Sequence, residues 1–186
     1  MNRSGALGSS SAEQAPLRPI VLWAASYADE ALSVFESRHP DDRRPREAIE
    51  AGRDFGNGKQ RGKNLRMAAF AAMKAGKDLD EPSKHAVQAA VLTAAVAYTH
   101  TDLQTGLQGV RQARHILGPI VYAALAVETA ANTPTAGDDI LQRAIESAPS
   151  EVTRILQRMP PQPLKEGRIE TLFVRLDSAL RSQAGK

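Results

Sequence analysis

Apolar residues recur every three or four positions from about residue 19 onward, the spacing of one face of an α-helix, and no stretch alternates convincingly with the period of a strand. The longest such pattern, residues 102–131, changes character halfway. Leu103, Leu107, Val110 and Leu117 form one apolar stripe, and Gln108, Arg111, Gln112, Arg114 and His115 lie off it. From Ile116 to Val127 no face carries a charge. A helix apolar all round is buried, whereas one with a single apolar stripe lies at a surface. The second half therefore predicts the central post of an all-α bundle, and the first half its exit to the surface. Pro119 lacks a backbone N–H and crowds the carbonyl of residue 115, so the Gly118-Pro119 pair predicts a kink or break.

The other elements follow in order. Pro19 suits the first turn of a helix carrying Trp23, Tyr27, Ala31 and Phe35, with Leu22 and Leu32 alongside, that ends near His39. Trp23 lies on the apolar stripe and reads as a core anchor. A second helix is capped by Asp41 or Asp42, with Pro45 in its first turn and Ala48, Ile49, Gly52 and Phe55 inward. The third aligns Leu65, Ala69, Ala72 and Met73, widened by Met67 and Phe70. A methionine-rich stripe can be an adaptable binding surface, but core is its commoner use and the expectation here. The fourth, opened by Asp80 and Pro82, buries Val87, Val91, Ala94, Ala95 and Tyr98. Thr101 and Gln104 then read as a capping box for the fifth. Beyond Ala131 two short amphipathic helices follow, on Ile140, Leu141, Ala144 and Ile145 and on Val152, Ile155, Leu156 and Met159. The extended turn 160–163 leads to a last helix on Ile169, Leu172, Phe173, Leu176 and Leu180. The expectation is a single domain of seven to eight helices around an Ala-rich centre, with no β-sheet. Residues 1–18 are its disordered tail, 19–131 its core, and 132–186 C-terminal helices packed on that core.

Composition narrows the chemistry. Absence of cysteine excludes disulfides and thiolate zinc sites and is compatible with a cytoplasmic location. The net charge of +3 permits an acidic partner without demanding one. The longest uncharged run contains Gly118-Pro119 and is too short for a membrane span, which needs about 20 residues.

GNGKQRGK, residues 56–63, invites comparison with a phosphate-binding loop. Asn57 stands where the first glycine should be, and Asn64 where the magnesium-binding hydroxyl should be. The segment reads instead as a flexible basic connection carrying Lys59, Arg61, Lys63 and Arg66. A second basic cluster, Arg43, Arg44 and Arg46, lies among Asp41, Asp42, Glu47 and Glu50 and reads as a salt-bridged surface. The four histidines, His39, His85, His100 and His115, show no helical metal-site spacing. His100 with Asp102 is an acid–base pair in spacing only, and no nucleophile motif accompanies it. These residues predict no catalytic group, metal or cofactor.

Residues 22–55, LWAASYADEALSVFESRHPDDRRPREAIEAGRDF, and 114–128, RHILGPIVYAALAVE, resemble the immunity proteins of bacterial polymorphic-toxin systems, the helical immunity-five-like domain. The first match runs from a Trp-Ala opening through Pro40 to Ala51. The second consists of His115, Gly118, Tyr122 and Ala123. The resemblance covers residues 20–131 and leaves out the C-terminal third. Arg111 stands where the family has a histidine, and Pro119 interrupts an Ala-rich helix, so a role needing paired histidines does not carry over. The resemblance implies a non-catalytic cytoplasmic protein that binds and neutralises a toxin. Candidate partner-binding residues are Arg43, Arg44, Arg46, Lys59, Arg61, Lys63 and Arg66, and a partner meeting the 59–66 segment should present acidic groups. The alternatives are a helical protein associated with nucleic acid through that segment, and a small-molecule pocket at the Gly118-Pro119 kink.

Overall fold

The computed structural model describes residues 14–102 and 105–183. Among them are eight helices and no strand. These are α1 (Leu17–Glu36), α2 (Arg44–Gly56), α3 (Lys63–Ala75), α4 (Glu81–Val96), α5 (Gly106–Ala131), α6 (Pro134–Ser147), α7 (Ser150–Leu156) and α8 (Arg168–Ser182). The all-α bundle expected from the periodicity is what forms.

The centre is α1, α4 and α5, each packed on the other two. From Ile116 to Ala126 every residue of α5 is buried except the half-buried Tyr122, so its uncharged half is the central post. Gly118 makes close packing possible. A Cβ there would sit 2.5 Å from Leu92 Cδ1 of α4. The helix runs unbroken through Pro119, against the expected break, because Pro119 and its neighbours are held on all sides by buried packing. The Gly118-Pro119 step is itself buried, with Leu92 of α4 against it.

The ends of the elements shift for local reasons. α1 begins at Leu17 rather than Pro19, because Leu17 is buried, and Gln14 is buried ahead of it. Residues 14–18 thus belong to the packed structure, while 1–13 of the expected tail lie outside the described residues. Thr105, not Thr101, stands at the N-cap position of α5. Gln104 of the expected capping box and Leu103 of the expected stripe lie outside the described residues. Leu107 is 74% exposed and Gln112 is buried, the reverse of the pattern expected for this stretch. The reason is that the first turns of α5 face the protein with Gly109 and Gln112, and the Gln112 side chain accepts the N–H of His100 at 2.8 Å. Asn132 closes α5 in the left-handed conformation that asparagine tolerates.

α6 and α8 both pack on α5, and α7 contacts α8 and α1. Their attachment is polar as well as apolar. Trp23 is 6% exposed and donates from Nε1 to the carbonyl of Ala144 at 3.1 Å. Arg143 pairs with Glu30 at 2.7 Å. Arg168 reaches both Glu128 (2.6 Å) and Asp138 (2.9 Å), and Arg175 also holds Asp138. Arg114 pairs with Glu170, accepts the face of Phe173 under its guanidinium at 4.4 Å, and donates to Gln162. Each of these arginines is matched to a carboxylate of a neighbouring helix.

A basic, methionine-bearing face on α3

α3 is an edge helix. Among the described residues its main packing partners are α2 and α4. Leu65, Ala72 and Ala75 are buried against them, and Ala68, Ala69 and Ala71 are half-buried. The large apolar residues point the other way. Met67 is 56% exposed, Phe70 49% and Met73 53%. This corrects the expectation that they join the core. Three residues apart each time, they form a row along the outer side, and burying that row together with Leu65 and Ala72 would require neighbours all round the helix.

Basic residues share that face. At about 100° per residue, Lys63, Arg66, Met67, Phe70, Met73 and Lys74 fall within about 120° of arc. Lys77 follows just past the C-cap Gly76. From Phe55 to Lys77 the chain carries Lys59, Arg61, Lys63, Arg66, Lys74 and Lys77 and no acidic residue.

The structure separates the sequence-predicted basic residues into those with partners and those without. Arg44 pairs with Asp42 at 2.5 Å, and that hydrogen bond holds the Asp42 carboxyl below its ordinary range. Arg46 reaches back to Glu36 at 2.5 Å rather than to its sequence neighbours. Lys59 pairs with Asp54 at 2.8 Å. Arg61 donates to the carbonyl of Ala97 at 2.9 Å. Among the described residues, Lys63, Lys74, Lys77 and Arg43 are exposed and make no ion pair or side-chain hydrogen bond. Arg66 has only the face of Tyr98, which it shares with Arg61, each guanidinium 5.5 Å from the ring centre.

The connection between α2 and α3 is tied down along its length, where the sequence suggested a flexible one. Arg18 of α1 donates to the carbonyls of Phe55 and Lys59 and lies over the Phe55 ring. Tyr98 donates its hydroxyl to the carbonyl of Gly62 at 2.9 Å. A cleft of about 300 Å³ sits between this connection and α2, lined in part by Asp54, Lys59, Gln60, Lys63 and Asn64. The basic face and its approach are therefore held in place by α1, α2 and α4. Lys74 and Lys77 are the members that the sequence reading missed, because they lie beyond the glycine-rich run that drew attention. The absence of any acid up to Asp78 was the available signal.

The histidines occupy different surroundings. His85 is mostly buried beside Tyr122 with Glu81 at 3.8 Å, and burial lowers its pKa. His115 on α5 is lowered by burial and then by the nearby His100. His100 lies 3.8 Å from Asp102, and both are exposed, so the pair has contact without an enclosed site. No three metal-ligand residues gather among the described residues. No helix among them is long and apolar enough to cross a membrane.

One comparison with known proteins gives a match. A family described as Imm-5 like putative immunity protein matches residues 10–151. That span includes the basic face and extends past the C-terminal limit of the sequence resemblance, through α6. Among curated proteins and solved structures nothing matches.

Proposed function

Because this chain belongs to the Imm-5-like immunity protein family, we propose that it is a non-catalytic inhibitor that binds a bacterial toxin domain in the cytoplasm and neutralises it. The observation that supports binding, beyond the family, is the outer face of α3. Met67, Phe70 and Met73 form an exposed apolar row, and the lysines around them have no internal partner. Exposed large apolar side chains grouped on one element mark an interaction surface more often than chance exposure does. Methionine suits such a surface because its thioether chain adapts to the shape it meets.

The decisive experiment asks whether a toxin domain is encoded beside this gene and, where it is, uses that toxin. Co-expression should restore growth to cells making the toxin, and the purified proteins should form a stable complex. Cells that die despite full expression of this chain, with no complex on mixing, would remove the reading. The nucleic-acid alternative makes a separate demand. Binding to an oligonucleotide would have to fall steeply with salt while the toxin goes unrecognised.

A further inference from the structure

The chemistry of the α3 face identifies what it meets. We infer that α3 receives an acidic, apolar-studded segment of its protein partner, whose apolar side chains seat on Met67, Phe70 and Met73 and whose carboxylates meet Lys63, Arg66, Lys74 and Lys77. The inference rests on the inhibitor reading for the partner being a protein. The charge and the spacing come from the structure.

Charge complementarity is the first ground. Elsewhere in the fold several arginines are matched to carboxylates of other helices, as at Arg168 with Glu128 and Asp138 or Arg114 with Glu170. On α3 and its flanks the nearest acids in sequence are Asp54, already held by Lys59, and Asp78 beyond the last lysine. Three lysines and an arginine along one face repel one another, and an incoming carboxylate row relieves that repulsion. Such pairing steers association and suppresses wrong partners.

The arrangement of the apolar row is the second ground. Around the helix, Lys63 and Lys74 fall between Phe70 and Met67, and Arg66 falls between Met73 and Phe70. Charge and apolar surface are interleaved. An interfacial membrane helix keeps them on opposite faces, so that only the apolar side enters the acyl boundary. Single-stranded nucleic acid is held by successive stacking aromatics, and Phe70 is alone among Met67 and Met73 on this face. A folded protein segment can match an interleaved pattern residue by residue. From Lys63 to Lys77 the face runs about 21 Å at 1.5 Å per residue, the length of a four-turn helix laid alongside.

The third ground is that the face is held before any partner arrives. Arg18, Arg61 and Tyr98 fix the approach to α3, so little ordering is needed on binding.

The test uses the full chain and four probes. Two are labelled peptides of about four helical turns, one with leucine and phenylalanine at helical spacing among glutamates and the other with every glutamate replaced by glutamine. The others are a single-stranded oligonucleotide and vesicles containing phosphatidylserine. The glutamate peptide should bind, and weaken as salt rises. Phe70→Ala and the double variant Lys63→Glu/Lys74→Glu should each reduce that binding by about tenfold or more, the loss expected of a central contact. Their melting temperatures, measured alongside, should match that of the wild type. Equal binding of the two peptides, indifference to both variants, or no peptide binding at all would overturn the inference. So would oligonucleotide or vesicle binding that depends on Phe70 and Lys63 more strongly than peptide binding does. The toxin separates this from the broader reading. A toxin neutralised equally well by wild type and both variants defeats the α3 assignment and leaves inhibition standing, whereas failure of the wild type to neutralise defeats inhibition itself.

Discussion

The two helices α3 and α5 are written in nearly the same residues and are used in opposite ways. Both are rich in alanine with a few large apolar side chains. In α5 the large residues Ile116, Leu117, Ile120, Val121 and Leu125 are buried, and the alanines between them are buried too. In α3 alanines and Leu65 face the bundle, while Met67, Phe70 and Met73 face solvent. What differs is the number of neighbours. Among the described residues, α5 is surrounded by α1, α4, α6 and α8, and α3 is covered mainly by α2 and α4. An alanine face lets α3 approach closely with little side-chain entropy to lose, and it leaves the bulky row free. The contrast teaches that apolar content alone does not tell core from interface. The charge lying between the apolar positions does, being absent from Ile116 to Val127 of α5 and dense on α3.

The contrast breaks most visibly if the centre is truncated. Leu117→Ala in α5 should cost about 2–5 kcal/mol, and Trp23→Ala about 3–5 kcal/mol, because each empties a site that cannot fully collapse. Trp23→Ala also leaves the Ala144 carbonyl without its donor. Denaturant unfolding measures both. A loss under about 1 kcal/mol at either position would place that residue outside the core and erase the distinction from α3.

An intermediate effect is expected where buried charge joins α5 to α6 and α8. Arg168→Ala leaves Glu128, itself buried, without its guanidinium, and should cost about 1.5–3 kcal/mol, the range for losing a hydrogen bond to a charged group. The same substitution at the free Lys74 should cost far less. Equal effects at the two positions would show that pairing does not distinguish the two sides of the molecule.

Much of this was legible from the residues. The eight helices follow from apolar periodicity, and the uncharged half of α5 announced itself as central. The face of α3 was not legible, because larger apolar residues are ordinarily the ones to bury, and Ala69 and Ala72 could sit on either side of the boundary. Only the position of α2 and α4 decides it. The basic cluster at 43–46 was read as neutralised by local acids. For Arg44 and Asp42 it is, but Arg46 turns to Glu36 of the preceding helix. Pairings such as Arg168 with Glu128 and Arg114 with Glu170 join helices far apart in the chain, and a single sequence carries no signal for them. The unbroken course of α5 through Pro119 was equally hidden, since the packing that holds it comes from other elements.

A smaller effect should appear with pH. Burial lowers the pKa of His85 on α4 and His115 on α5. As pH falls through the ordinary histidine range the unfolded chain takes up protons that the folded protein does not. Stability therefore falls over that interval and levels off once pH is below the folded-state values. His115→Gln should make the fall shallower in denaturation curves compared between neutral and mildly acidic pH. An unchanged fall in that variant would move the effect to His85 or elsewhere.

The smallest effect should come from α3. Met67→Ala, Phe70→Ala and Met73→Ala each remove a side chain that is about half exposed, and each should change stability by no more than about 0.5 kcal/mol. Alanine is also the better helix former than phenylalanine, which offsets part of any lost contact. If the row were instead a weakly packed piece of core, Phe70→Ala would cost several times more and the melting temperature would drop with it. The measurement is a matched set of unfolding curves for Phe70→Ala and Leu117→Ala. A large loss at Leu117 with almost none at Phe70 keeps α5 as the post and α3 as the face turned outward. Comparable losses would mean that α3 serves the fold, and that its methionines are exposed only at their tips.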